Sequence, residues 1–80
     1  MDSKKIMGIL TEIFKDIFDD ESLILNISMQ IQDIDGCDSL NFITLMDAIE
    51  DEFNIRFLAS EFYSLKNIGQ LIEAIEKKLN

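Results

Sequence analysis

Apolar residues recur at helical spacing in three long segments of this chain, and the chain contains no proline. Residues three or four positions apart lie on one face of a helix, so this spacing predicts amphipathic helices that each bury one side. The first helix is predicted to begin after Asp2 or Ser3, either of which can cap it, and to end near residue 19. Its apolar face consists of Ile6, Ile9, Leu10, Ile13, Phe14 and Ile17.

Two more long helices are predicted over about 39–53 and 67–79, with Asp38 as the cap of the earlier one. One short helical turn is expected over 59–64. The earlier helix would bury Phe42, Leu45, Met46, Ile49 and Phe53, and the later one Ile68, Leu71, Ile72, Ile75 and Leu79. The apolar anchors around the short turn are Phe57, Leu58, Phe62 and Leu65.

The segment 20–38 carries apolar residues that mostly alternate with polar ones: Leu23, Leu25, Ile27, Met29, Ile31 and Ile34. No other segment offers a matching strand, so we expect a long loop pinned to the core by these side chains. The prediction is therefore an all-α fold, a small bundle of three main helices plus one short helix, with a long loop between the first and second helices. It would form a single domain over 1–80.

The chain is strongly acidic, with a net charge of −9 from 16 acidic and 7 basic side chains. Such a charge repels nucleic acid and anionic lipid and attracts basic protein surfaces. No apolar stretch is long enough to insert into a membrane, and no signal peptide is visible. The only cysteine, Cys37, cannot form an internal disulfide. We expect a monomeric cytoplasmic protein with protein partners and no nucleic acid.

Histidine is absent, which removes Ser/His and Cys/His catalysis and most zinc and iron sites. Asp33 and Asp35 precede Gly36 as in a calcium-binding loop, but the glycine spacing is wrong, and Thr44 stands where such a loop needs a bidentate glutamate. No metal site and no catalytic residue is expected, and the chain is predicted not to be an enzyme.

Ser39 is the residue with the most distinctive chemistry. It lies where the turn residues of the loop give way to the second long helix, in Gly36-Cys37-Asp38-Ser39-Leu40. A phosphate on its hydroxyl would face free backbone N–H groups and the positive end of the helix dipole. The simpler interpretation is that the hydroxyl is only a helix cap.

The sequence Asp38-Ser39-Leu40 resembles the motif of the acyl carrier protein family, and the context agrees over almost the whole chain. Gly36 and the segments 45–55 and 68–75 also look like their counterparts in that family. The resemblance implies that a phosphopantetheinyl transferase attaches 4′-phosphopantetheine from coenzyme A to Ser39, with Asp38 and Leu40 beside the cofactor. The thiol of that arm would carry acyl groups as thioesters, and a loosely packed apolar interior can shelter a growing acyl chain.

The resemblance also implies a docking surface on the second long helix for loading and processing enzymes with basic surfaces. The residues it assigns to partner contact are Leu40, Ile43, Asp47, Glu50 and Asp51. Fatty-acid carriers commonly have acidic residues at two positions where this chain has Asn41 and Thr44. Asp47 stands where an apolar residue is common in the family, and Leu58 replaces a frequent proline. These departures favour a dedicated carrier in a polyketide, lipid or other specialised pathway over the housekeeping fatty-acid carrier.

Two alternatives remain open at the level of sequence. The first is a stand-alone aminoacyl or peptidyl carrier loaded by an adenylating enzyme, which would share the Ser39 chemistry. The second is an unmodified acidic adaptor in which Ser39 has only a structural role. The acidity of the chain favours acyl cargo, because aminoacyl carriers are often less acidic.

Overall fold

A computed structural model describes all 80 residues as four α-helices connected by loops, with no strands. The helices are α1 (Ser3–Phe18), α2 (Ser39–Phe53), α3 (Ala59–Ser64) and α4 (Ile68–Leu79). The long loop between α1 and α2 contains one 3-10 turn, Ile31–Asp33, that the sequence did not predict. The all-α prediction, the long loop and the order of the helices are confirmed. None of the four helices has the length and apolar character to cross a bilayer.

The helix ends follow from the residues that occupy them. Asp2 and Asn67 cap α1 and α4, each accepting a hydrogen bond from a backbone N–H three residues later. Asp19 and Asn54 adopt left-handed conformations (φ 50° and 55°) directly after α1 and α2. This backbone conformation ends a helix, and Asp and Asn tolerate it better than most residues.

One apolar core joins the four helices. It contains 16 buried residues and no buried polar or charged residue. α1 packs along both α2 and α4, which places it at the centre of the bundle. The predicted buried faces are largely correct, with Ile6, Leu10 and Phe14 on α1 fully buried. Their partners on the other helices are Phe42, Leu45, Ile49, Phe53, Ile68, Leu71, Ile72 and Ile75.

The long loop between α1 and α2 is held to the core partly by its backbone, and not only by its apolar side chains as predicted. Leu25 and Ile31 are buried as expected, whereas the side chain of Ile27 is 66% exposed. It is the backbone at this point that is fixed, because the carbonyls of Ile27 and Met29 accept hydrogen bonds from the N–H groups of Gly69 and Ile68, both at 2.9 Å. These N–H groups begin α4 and have no acceptor within that helix, so the loop satisfies them.

One of the residues predicted to anchor the short helix α3, Leu58, lies at the surface. Leu58 is 74% exposed and anchors nothing, while Phe57 and Phe62 are buried. Lys78 of α4 lies 4.9 Å from the centre of the Phe57 ring and 3.0 Å from the carboxylate of Glu61. Lys78 therefore holds α3 to α4 through the ion pair with Glu61, and it holds the residue before α3 through the cation–π contact with Phe57.

Two glycines in helices provide matched substitutions of opposite effect. At Gly8, inside α1, an added methyl group would meet no atom within 4 Å. Gly8→Ala should therefore raise the free energy of unfolding by about 0.5–1 kcal/mol, because alanine loses less backbone entropy in a helix. At Gly69 the methyl carbon would lie 3.2 Å from the Ile27 carbonyl oxygen. Gly69→Ala should lower stability, measured by urea unfolding, and equal gains from both substitutions would contradict the close docking of the loop.

Candidate functional site

Ser39 is the first residue of α2, and its neighbour Asp38 caps the helix. The Asp38 carboxylate accepts a hydrogen bond from the Asn41 N–H at 2.8 Å, which meets the geometry of an N-cap. The Ser39 side chain is exposed and is not needed as the cap. Its hydroxyl is thus available to another molecule at the positive end of a helix of 15 residues.

The loop before Ser39 is locked to α2 by Asn41. The Asn41 side-chain amide donates a hydrogen bond to the Gly36 carbonyl at 2.7 Å. Gly36 has φ 87°, a conformation that favours glycine, and an added methyl carbon there would also contact the Phe18 ring at 3.7 Å. The turn into α2 is therefore fixed both by a glycine conformation and by a side-chain donor that an aspartate at position 41 would not supply.

A small open cleft of about 250 Å³ lies beside Ser39. Its lining combines aromatic and polar side chains: Gln32, Cys37, Asp38, Ser39, Phe42 and Tyr63. The Phe42 and Tyr63 rings are stacked with their centres 4.8 Å apart, and Tyr63 is 51% exposed. Gln32 and Tyr63 were not predicted, because nothing in the sequence shows that the loop and α3 both reach the start of α2.

Cys37 lies in this cleft, and its surroundings do not activate its thiol. Partial burial raises the pKa of its thiol, and the nearby charge of Asp38 raises it further. The thiol is therefore less ionised at neutral pH than an ordinary cysteine, and thiolate is the nucleophilic form.

Four of the five residues predicted to contact partners lie on one face of α2. Leu40, Ile43, Asp47 and Asp51 follow one another at spacings of three or four, and all are exposed. Leu40 and Ile43 are 71% and 45% exposed. We call these four residues the α2 strip.

Glu50, the fifth predicted partner residue, has a structural position instead. Its side chain is only 11% exposed. One carboxylate oxygen, Oε2, accepts a hydrogen bond from the Phe57 N–H at 2.7 Å, and Oε1 lies 4.0 Å from the Arg56 guanidinium. Because Arg56 is 91% exposed, the ion pair contributes little, and the main effect of Glu50 is to hold the connection between α2 and α3.

The structure thus displays an exposed serine at the start of an acidic helix in a small helical bundle. The family described as "Phosphopantetheine attachment site" matches residues 8–75. The chain therefore belongs to the phosphopantetheine-carrying acyl carrier protein family. This confirms the predicted family and the prediction that the chain is not an enzyme.

Among solved structures, the chain is similar to a holo acyl carrier protein from Geobacter metallireducens, determined by solution NMR. The two are 38% identical, with a TM-score of 0.82, over 91% of this chain and 84% of that one. A comparison with curated proteins gives no match. The predicted cofactor, covalent 4′-phosphopantetheine, is confirmed by the family and by this holo relative. The exposed helix start at Ser39 fits a group that is attached through a phosphate.

Replacing Glu50 tests its structural position. Glu50→Ala would leave the Phe57 N–H without an acceptor in a half-buried setting and should lower the free energy of unfolding by about 1–3 kcal/mol. The matched control is Asp51→Ala, which removes an exposed acid from the next position of the same helix and should change stability by about 0.5 kcal/mol or less. Both are measured by urea unfolding. Equal effects would show that the Glu50 hydrogen bond adds no stability.

Proposed function

We propose that Ser39 is the attachment point of the 4′-phosphopantetheine arm and that the protein carries acyl groups as thioesters between separate biosynthetic enzymes. The observation that supports this most directly is the division of roles at the start of α2. Asp38 caps the helix, and Ser39 is left exposed on its first turn. The proposal treats residues 1–80 as one carrier domain, monomeric and cytoplasmic.

The attachment needs no catalytic group from this chain. In the transferase reaction a phosphoester bond forms between the Ser39 oxygen and the phosphorus nearest the pantetheine, and the pyrophosphate bond of coenzyme A breaks. Adenosine 3′,5′-bisphosphate leaves, and the serine proton passes to the transferase or to solvent. The part played by this chain is to expose the hydroxyl and to place the resulting negative charge at a helix N-terminus, where it is stabilised.

In this proposal the α2 strip is the docking surface for enzymes with basic surfaces. Leu40 and Ile43 offer apolar contact close to Ser39, and Asp47 and Asp51 offer charge further along the same face. Long-range attraction between opposite charges speeds encounter without requiring tight binding, which suits a carrier that visits several enzymes in turn. In this proposal Glu50 does not contact partners, and its role is to hold the connection between α2 and α3 through its hydrogen bond with the Phe57 N–H.

We further propose that the pathway is a specialised one, in polyketide or lipid synthesis, and not primary fatty-acid synthesis. The support is the uncharged character of Asn41 and Thr44, at positions commonly acidic in fatty-acid carriers. Both side chains are used locally, since Asn41 donates to the Gly36 carbonyl and Thr44 donates to the Leu40 carbonyl at 2.9 Å. The family match equally accommodates an aminoacyl carrier, and it argues against the unmodified adaptor.

Incubation with coenzyme A and a broad-specificity phosphopantetheinyl transferase tests the attachment site. Intact mass spectrometry should show the gain of one phosphopantetheine group on the wild type and on Ser60→Ala, a control at an exposed serine of α3. Ser39→Ala should show no gain. A gain that survives Ser39→Ala would overturn the assignment of Ser39. Presenting the modified wild type to malonyl-loading and aminoacyl-loading enzymes then distinguishes the two carrier classes.

The docking surface is tested with the same transferase as the partner. Asp47→Asn and Asp51→Asn, combined, should lower kcat/KM for loading by about threefold to tenfold at low salt, and the difference should shrink as salt is added. The control is Glu73→Gln combined with Glu76→Gln on α4, which makes the same change in net charge away from the α2 strip. An equal loss in the control would mean that only the overall charge matters.

A further inference from the structure

The space between α2 and α3 next to Ser39 is filled by aromatic rings. Phe42 lies three residues after Ser39, on the inner face of α2, and is 4% exposed. Its ring centre is 5.0 Å from that of Phe62 and 4.8 Å from that of Tyr63. Phe62 in turn contacts Phe57 edge to face at 5.3 Å. Four rings thus form a continuous cluster from the Ser39 cleft into the core.

This cluster differs from the loosely packed interior that accompanied the family resemblance. Rings at these separations are in ordinary aromatic contact, and a protein interior packed in this way does not admit a further group without displacing a side chain. Phe42 is the ring that separates the cleft from the deeper core, because it contacts both the half-exposed Tyr63 and the buried Phe62.

A long saturated acyl chain attached near Ser39 would have two places to go. It could remain in water, which is increasingly unfavourable with each methylene group, or it could enter the core between α2 and α3. Phe42 lies between the Ser39 cleft and the core between α2 and α3, and its ring blocks entry to that core. The cleft outside Phe42 is shallow and partly polar, with Gln32, Asp38 and Ser39 in its lining, and it suits a short or polar group.

We propose that Phe42 is a specificity-determining residue that closes the α2–α3 space to long saturated acyl chains, so that the protein carries short or polar acyl groups. This inference rests on the proposed attachment at Ser39 and concerns the class of cargo. In this proposal the Phe42 side chain determines whether an acyl chain stays outside the bundle or is sheltered within it.

The test loads the full chain with a series of arms that differ only in acyl length. A broad-specificity transferase transfers the acyl-phosphopantetheine group from acetyl-, butyryl-, octanoyl- or lauroyl-coenzyme A, and mass spectrometry verifies each product. Two properties are then measured: the thermal midpoint of unfolding and the rate at which hydroxylamine cleaves the thioester. An acyl chain sheltered in the core would raise the midpoint and slow the cleavage.

The wild type should show the same midpoint and the same cleavage rate for all four cargoes. Phe42→Ala should open the space, so that the octanoyl form unfolds about 4 °C or more above the acetyl form and its thioester is cleaved more slowly. Phe53→Ala is the matched control. It removes an equally buried ring, 5% exposed, from the far end of α2 and should lower the midpoint without introducing any dependence on acyl length.

A midpoint that rises with acyl length in the wild type would overturn the proposal, as would a Phe42→Ala protein that responds to acyl length no more than Phe53→Ala does. If Phe42→Ala does not fold, Phe42→Leu provides a smaller opening and the same comparison. Failure to load any arm onto the wild type would instead refute the proposed attachment. The two failures are therefore distinguishable.

Discussion

The two hydrogen bonds from the start of α4 to the carbonyls of Ile27 and Met29 determine where the long loop lies, and the position of the site depends on that loop. The loop spans 20 residues between α1 and α2, and a connection of that length has many conformations unless it is fixed near its middle. Gly69 allows the backbones to approach closely, and Leu25 and Ile31 bury their side chains on either side of the docked segment. From there the chain reaches Gly36 and the Asp38 cap, so the position of Ser39 depends on contacts made by Ile68 and Gly69, about thirty residues further along the sequence.

The start of α2 combines a rigid backbone with a free hydroxyl. Asp38 supplies the cap, Asn41 locks the preceding turn, and Thr44 uses its hydroxyl on the Leu40 carbonyl. Ser39 is the one polar side chain of this turn that is not engaged in these bonds. This arrangement suits the attachment role proposed for Ser39, because other enzymes can reach the hydroxyl while the helix that displays it keeps its conformation.

The helices could be predicted from the sequence because their apolar faces repeat at a spacing that only a helix brings together. The predicted bounds of 39–53 and 59–64 agree with α2 and α3, and Asp38 was identified as a cap by its type and position. The loop could not be predicted as well, because the contact that fixes it uses backbone carbonyls, and Ile27 is indistinguishable in sequence from the buried Leu25. Leu58 likewise could not be told apart from its buried neighbour Phe57. The half-buried, hydrogen-bonded position of Glu50 could not be distinguished in sequence from those of the other acids of α2.

The uncharged side chain of Asn41, next to the α2 strip, and the geometry of the loop before α2 are physically coupled. A carboxylate at position 41 has no donor for the Gly36 carbonyl and would lie one turn from the Asp38 carboxylate, where like charges repel. The turn seen here thus favours a neutral donor at position 41, and with it a less acidic border close to Ser39. The remaining exposed charge of the α2 strip lies at Asp47 and Asp51, two to three turns further along the helix. An enzyme docked on the α2 strip in the way proposed here would therefore meet apolar Leu40 and Ile43 near Ser39 and negative charge farther away. In this proposal, that spacing distinguishes its partners from those of a uniformly acidic carrier.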